Sequence, residues 1–170
     1  MKSENTSKLK KVQLFFYSSI NFPLAVVGLP LVLFIPPIYG ELGLNLASMG
    51  FILMLARLSD VFTDPLIGLL SDRTKIGLGR RKPWILIGTP LLAISTYFLF
   101  VPSEQPDLLY FLFCIMGMYL AFTIIQIPYA SWGAELSSNY NERSKITALR
   151  EQFGYTGTMV AVSIPIFLSY

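Results

Sequence analysis

The stretch RLSDVFTDPLIGLLSDRTKIGLGRRKPW, residues 57–84, decides how the rest of this chain is interpreted. Its first half continues an apolar run long enough to cross a bilayer, yet it contains Arg57, Asp60 and Asp64. Its second half is crowded with Arg and Lys and is too polar for the hydrocarbon core. The stretch therefore predicts a membrane-spanning helix that carries buried charge and ends in a basic loop.

The two aspartates predict a site for a positive ion. A charge near the bilayer centre costs about 2.5–3.5 kcal/mol on insertion scales, so it persists where it faces a polar interior or a partner. Asp60 and Asp64 are four residues apart and lie one above the other on a helix face, about 6 Å apart. A buried ion pair between Arg57 and Asp60 that only joins helices is the alternative. One arginine cannot neutralise two acids, however, which favours an anionic, oxygen-rich binding site.

Composition independently predicts an all-α integral membrane protein. Of the 170 residues, 54% are hydrophobic and only 14% are charged, whereas soluble domains are nearer a quarter charged. The net charge of +3 is too small to indicate nucleic-acid binding. The chain has no histidine and no Gly-Lys-Ser/Thr phosphate-binding element, which excludes histidine-dependent catalysis and argues against ATP-driven transport. We therefore expect a protein that is not an enzyme and needs no cofactor.

Hydrophobic runs predict five transmembrane helices after a polar, basic segment at residues 1–11. The first run is longer than the roughly 7–15 residues of a signal-peptide core, so we expect it to be retained. Prolines at positions 23, 30, 36 and 37 predict kinks within it. The five predicted helices are 12–39, 46–70, 84–101, 108–132 and 146–170.

The distribution of Lys and Arg predicts the orientation. Four precede the first helix, five lie between the second and third, and three follow the fourth helix, the last of them being Arg150. The loops after the first and third helices contain none. The positive-inside rule therefore places the N-terminus in the cytoplasm of a multi-pass plasma (inner) membrane protein.

Two sequence patterns resemble a known transporter family. The run D-x-x-x-D-P-x-x-G-x-x-x-D-R-T starts at Asp60 and is followed by G-R-R-K-P-W at 79–84. The second pattern is I-P-Y-A-S-W-G-A-E-L at 127–136, with N-E-R-S at 141–144. Together they resemble the glycoside-pentoside-hexuronide:cation symporters, the melibiose permease family of the major facilitator superfamily.

The resemblance implies a fold, a function and a set of site residues. The fold has two six-helix bundles with alternating access, and these five helices correspond to most of the first bundle. The implied function is symport of a sugar, glycoside or uronide with Na⁺, Li⁺ or H⁺. The implied cation ligands are Asp60, Thr63, Asp64 and Thr123. The implied cytoplasmic gate loop contains Gly68, Asp72, Arg73, Gly79 and Arg80.

The substrate contacts depart from the family pattern. The resemblance implies that Arg150 contacts sugar hydroxyls. Galactoside-binding members have acids on the first and fourth helices, where the nearest matches here are Asn21 and Gln126. For Asn21, an interhelical hydrogen bond and a ligand contact are both open. A lipid or another non-sugar solute is therefore an alternative substrate. In either case we expect the partners to be a small-molecule substrate and the surrounding lipid bilayer.

The small number of predicted helices raises a third alternative for the function. Five helices are too few for a major facilitator pore, so we expect a fragment whose remaining seven helices belong to the same protein. The alternative is a truncated membrane protein that does not transport.

Overall fold

The computed structural model describes residues 11–77, 79–102 and 106–168. In these residues all regular secondary structure is α-helical, which confirms the expected all-α fold. Within this described part of the chain seven helices follow one another: α1 (Lys11–Ser19), α2 (Asn21–Leu33), α3 (Ile35–Glu41), α4 (Leu46–Arg73), α5 (Lys82–Phe100), α6 (Leu108–Glu135) and α7 (Tyr140–Leu168). Of the predicted N-terminal segment 1–11, all but Lys11 lies outside the described residues, as do residues 169–170 of the fifth predicted helix.

The first predicted span, 12–39, consists of three short helices. The helices are interrupted at Ile20 and at Phe34, and each following helix has proline in its first turn. Proline is tolerated there because the first N–H groups of a helix have no intrahelical acceptor. The prolines thus restart the helix at two points instead of only bending it.

The charged stretch lies on α4, which has defined ends. The Asn45 side-chain oxygen accepts hydrogen bonds from the backbone N–H of Ala47 (2.9 Å) and Ser48 (3.3 Å) and so caps the first turn. At the other end the Thr74 N–H bonds to the Leu70 carbonyl. With 28 residues the helix is about 42 Å long, which is enough to cross a bilayer.

Four segments of the described chain are long and apolar enough to cross a membrane. They are Lys11–Leu31, Leu46–Arg73, Lys82–Phe100 and Leu108–Glu135. The 29-residue α7 is long enough as well, but charged residues such as Arg150 and Glu151 in its first half keep its mean hydropathy low. The membrane fold is therefore confirmed, and the predicted number of five spans is approximate.

The chain divides into two compact units. Of the described residues, the first comprises 11–30 together with 132–168. Within it α1 and α2 pack against α7, where a Cβ atom on Gly157 would come within 2.5 Å of the Phe22 carbonyl oxygen. The backbones approach so closely that only glycine fits at this position, as in other membrane helix pairs.

The second unit runs from Leu31 to Ser131 and contains the charged stretch. Its core includes the fully buried Tyr39 and Phe111, whose ring centroids are 4.8 Å apart. The Tyr39 hydroxyl donates a hydrogen bond to the Leu99 carbonyl (3.0 Å), so the one polar atom of this ring is satisfied. A Cβ atom on Gly88 would lie 2.6 Å from Ile125, which shows how closely α5 approaches α6.

Candidate functional site

Helices α4 and α6 pack side by side in the second unit. The Arg57 guanidinium carbon lies 4.8 Å from the centroid of the Tyr119 ring. Further along, the Thr123 hydroxyl donates a hydrogen bond to Asp64 Oδ1 (3.1 Å). A Cβ atom on Gly68 would lie 3.7 Å from Ile127 on the next turn. Residue numbers rise together on both helices, so the two helices run in the same direction.

The oxygen atoms predicted to bind a cation lie on this packed face. The Asp60 and Asp64 side chains are both half-buried. Asp60 Oδ1 and Thr63 Oγ1 are buried and have no hydrogen-bond partner. Leaving a buried polar atom unpaired costs about 1–3 kcal/mol, so each of these oxygen atoms has unused capacity to bind a ligand. The donor set of carboxylate and hydroxyl oxygens fits a hard cation, since such ions prefer oxygen ligands.

The distance between Arg57 and Asp60 is too long for the guanidinium to satisfy the carboxylate fully. The Nη1–Oδ2 distance is 3.7 Å, whereas a charge-assisted hydrogen bond of this type is typically about 2.7–2.9 Å. The Arg57 side chain is 66% exposed, while that of Asp60 is 19% exposed. A purely structural ion pair would be expected to close this gap, so the geometry favours a binding role for Asp60.

Two of the predicted substrate residues meet in the first unit. The Asn21 side-chain amide donates a hydrogen bond to the backbone carbonyl of Arg150 (3.0 Å). Of the two interpretations of Asn21, this contact is the interhelical hydrogen bond. The Arg150 guanidinium donates to Glu151 Oε1 from both Nη2 (2.7 Å) and Nε (3.1 Å). Glu151 was not among the predicted site residues, and it reduces the net positive charge available to a ligand here.

The third predicted substrate residue, Gln126, lies in the second unit. It follows Thr123 by three residues and therefore lies one turn further along the same side of α6. Its Oε1 is buried and has no hydrogen-bond partner. Its capacity to accept a hydrogen bond is therefore unused by the described residues.

The loop between α4 and α5 is held by one buried arginine. Arg81 forms an ion pair with Asp72 and donates a hydrogen bond to the Ser71 hydroxyl (2.8 Å). Arg80, the adjacent residue that the resemblance placed in the gate loop, is exposed. Gly79 has a φ of +95°, a conformation that favours glycine. Arg73 is exposed as well, and Gly68 is half-buried against α6.

Comparison with known proteins decides the family. A model of the family described as MFS/sugar transport protein matches residues 16–169. The chain belongs to this family. The resemblance drawn from the sequence motifs is thereby confirmed, and the chain is a multi-pass membrane chain of a transporter family.

Members of this family that are similar to the chain include named symporters. An uncharacterised symporter of Synechocystis is 33% identical over 136 residues, which are 75% of this chain and 25% of that protein. Sodium-dependent lysophosphatidylcholine symporter 1 of Mus musculus is 37% identical over 125 residues, 68% of this chain and 23% of that protein. A putative glycoside/cation symporter of Escherichia coli is 26% identical over 125 residues, 72% of this chain and 27% of that protein. The chain thus spans about a quarter of the length of these relatives.

Tyr119 is the site residue that the sequence motifs do not reveal. It lies four residues before Thr123 and is 7% exposed. The spacing of four residues places it on the same face of α6 as Thr123. An aromatic residue in an apolar helix is usually core, so this spacing alone carried too little information to single it out.

Proposed function

We propose that the protein is a cation-coupled symporter that binds its coupling cation between α4 and α6. The ligands are oxygen atoms of Asp60, Thr63, Asp64 and Thr123. The observation that carries the proposal is the pair of buried, unpaired oxygen atoms, Asp60 Oδ1 and Thr63 Oγ1, next in the chain to the second half-buried carboxylate, Asp64. Na⁺, Li⁺ and H⁺ all suit this donor set.

Coupling follows from the charge of the empty site. With no cation bound, the helix face carries two carboxylates and one distant arginine. Uncompensated charge inside the membrane is costly, so the transporter without a bound cation does not change between its outward-open and inward-open conformations. A bound cation lowers this cost and raises substrate affinity, and by linkage the substrate raises cation affinity by the same factor.

A sugar, glycoside or uronide is the substrate class that we propose first. The family description and the similar glycoside/cation symporter support it. The buried and unpaired Oε1 of Gln126 would accept a hydrogen bond from a sugar hydroxyl. The Gln126 amide is neutral, unlike the acid that galactoside-binding members have in this region, so it does not favour a positively charged group on the substrate.

A lysolipid or similar amphipath is the second candidate. It is favoured by the 37% identity to the mouse lysophosphatidylcholine symporter, which is higher than the 26% identity to the glycoside/cation symporter. The same cation site would serve either substrate. We place the transporter in the plasma (inner) membrane with its N-terminus in the cytoplasm.

The direct test is uptake by the full-length protein in proteoliposomes, with labelled glycosides and lysophospholipids offered in parallel. Asp60→Asn and Asp64→Asn should each abolish cation-dependent uptake, because each removes a charge that the cation neutralises. The matched control is Glu41→Gln, which removes an exposed acid at the end of α3, outside the site. Cation dependence that survives in both aspartate variants would refute the site. The labelled compound that accumulates decides between the two substrate classes.

A further inference from the structure

The proposed cation site has a positive charge of its own beside it. Arg57 is one turn from Asp60 on α4, and side chains spaced this way are neighbours on a helix surface. The guanidinium nevertheless stops 3.7 Å short of Asp60 Oδ2. A flexible, 66% exposed side chain could close this distance by a small rotation. The length of the Arg57 side chain is therefore not what keeps its guanidinium away from Asp60.

The ring of Tyr119 accounts for the position of Arg57. The guanidinium carbon lies 4.8 Å from the ring centroid, within the range of about 6 Å in which a cation is attracted to an aromatic face. The ring is only 7% exposed, so it is a fixed platform contributed by the neighbouring helix. Tyr119 thus attracts the arginine from one side while Asp60 attracts it from the other.

The consequence for Asp60 is visible in its two oxygen atoms. Oδ2 faces the distant guanidinium, and Oδ1 is buried without a partner. Asp64, in contrast, receives a hydrogen bond from Thr123 and has no arginine within ion-pair distance among the described residues. Asp60 is therefore the carboxylate for which Arg57 and an incoming cation compete.

We propose that Tyr119 is a positioning residue that holds Arg57 off Asp60 and so keeps this carboxylate available to the coupling cation. Without the ring, Arg57 moves onto Asp60, forms a short ion pair and competes with Na⁺ or H⁺. The strength of the contact between Arg57 and Tyr119 thereby sets the cation affinity. This inference rests on the proposed function, since it assumes that Asp60 binds the cation.

The test is calorimetric titration of the purified full-length protein with Na⁺, and with protons in sodium-free buffer. Tyr119→Leu should raise the half-saturating cation concentration about fivefold, which corresponds to losing a cation–π contact of roughly 1 kcal/mol. Tyr119→Phe keeps the aromatic face and should restore the affinity to near that of the unmodified protein. If the leucine variant does not fold, Tyr119→Met serves in its place, because the flexible, unbranched methionine side chain fills irregular gaps in a core better than leucine.

The double variant distinguishes positioning from a general packing effect. In an Arg57→Gln background there is no guanidinium to move, so adding Tyr119→Leu should leave the half-saturating concentration unchanged. An equal loss of affinity in the Arg57→Gln background, or no loss in Tyr119→Leu, would overturn the inference. If instead the proposed function is wrong and Asp60 does not bind the cation, Asp60→Asn would leave the affinities for Na⁺ and for protons as they are in the unmodified protein.

Discussion

At the scale of single residues, the two carboxylates of the proposed cation site have different surroundings. The sequence spacing predicts that Asp60 and Asp64 stack on one helix face, and this follows from helical periodicity alone. The surroundings of each acid depend on α6, because Thr123 donates a hydrogen bond to Asp64 and the Tyr119 ring lies against Arg57. Contacts of this kind join residues about 60 positions apart, so no local pattern encodes them.

Thr123→Val should weaken cation binding while leaving the fold intact. Valine has nearly the same shape as threonine but lacks the hydroxyl that donates to Asp64 Oδ1 at 3.1 Å. A hydrogen bond to a charged group contributes about 1.5–3 kcal/mol, so we expect the half-saturating cation concentration to rise about tenfold or more. Thr123→Ser, which retains a hydroxyl, is the control. Na⁺ titration of both variants checks the prediction, and equal affinities in the valine and serine variants would contradict it.

At the scale of elements, glycine and proline shape the helices. The prolines of the first predicted span indicated kinks, whereas the structure has complete interruptions at Ile20 and Phe34. Whether a proline bends or ends a helix depends on whether neighbouring groups satisfy the freed carbonyls. The sequence shows the prolines but does not show those neighbours. The same limit applies to Arg80 and Arg81, two adjacent arginines of which only Arg81 is buried against Asp72.

Gly157→Ala should destabilise the packing of α7 against α2. An added Cβ atom would come within 2.5 Å of the Phe22 carbonyl oxygen, a backbone atom that cannot rotate away. Overpacking of this kind costs about 1–3 kcal/mol. Gly50→Ala is the matched control, because no atom lies within 4 Å of the added methyl group. Thermal unfolding in detergent should show a lower Tm for the Gly157 variant alone, and equal Tm values would contradict this packing.

At the scale of the whole molecule, composition predicts the fold class and the sequence motifs predict the family. The all-α membrane fold follows from the scarcity of charge, and the family follows from motifs that lie in or beside α4 and α6. The count of spans was harder to predict, because α7 begins with charged residues and becomes apolar only in its second half. The substrate depends on an arrangement of polar groups that these motifs do not encode.

The proposed orientation predicts which loops face the cytoplasm. In a Cys114→Ser background, Lys75→Cys should react with a membrane-impermeant maleimide only in inside-out vesicles, because it lies in the basic loop after α4. Glu41→Cys, at the end of α3 and beside the loop without Lys or Arg before α4, should react only in right-side-out vesicles or intact cells. The opposite pattern at both positions would reverse the topology.

The central claim is that a positive ion bound at Asp60 and Asp64 drives accumulation of the substrate. The most direct measurement is substrate accumulation in energised vesicles containing the full-length protein, before and after Na⁺ and H⁺ gradients are dissipated with ionophores. We predict that accumulation collapses when the gradient of the coupling cation is removed. Accumulation that persists with neither gradient present would contradict the account.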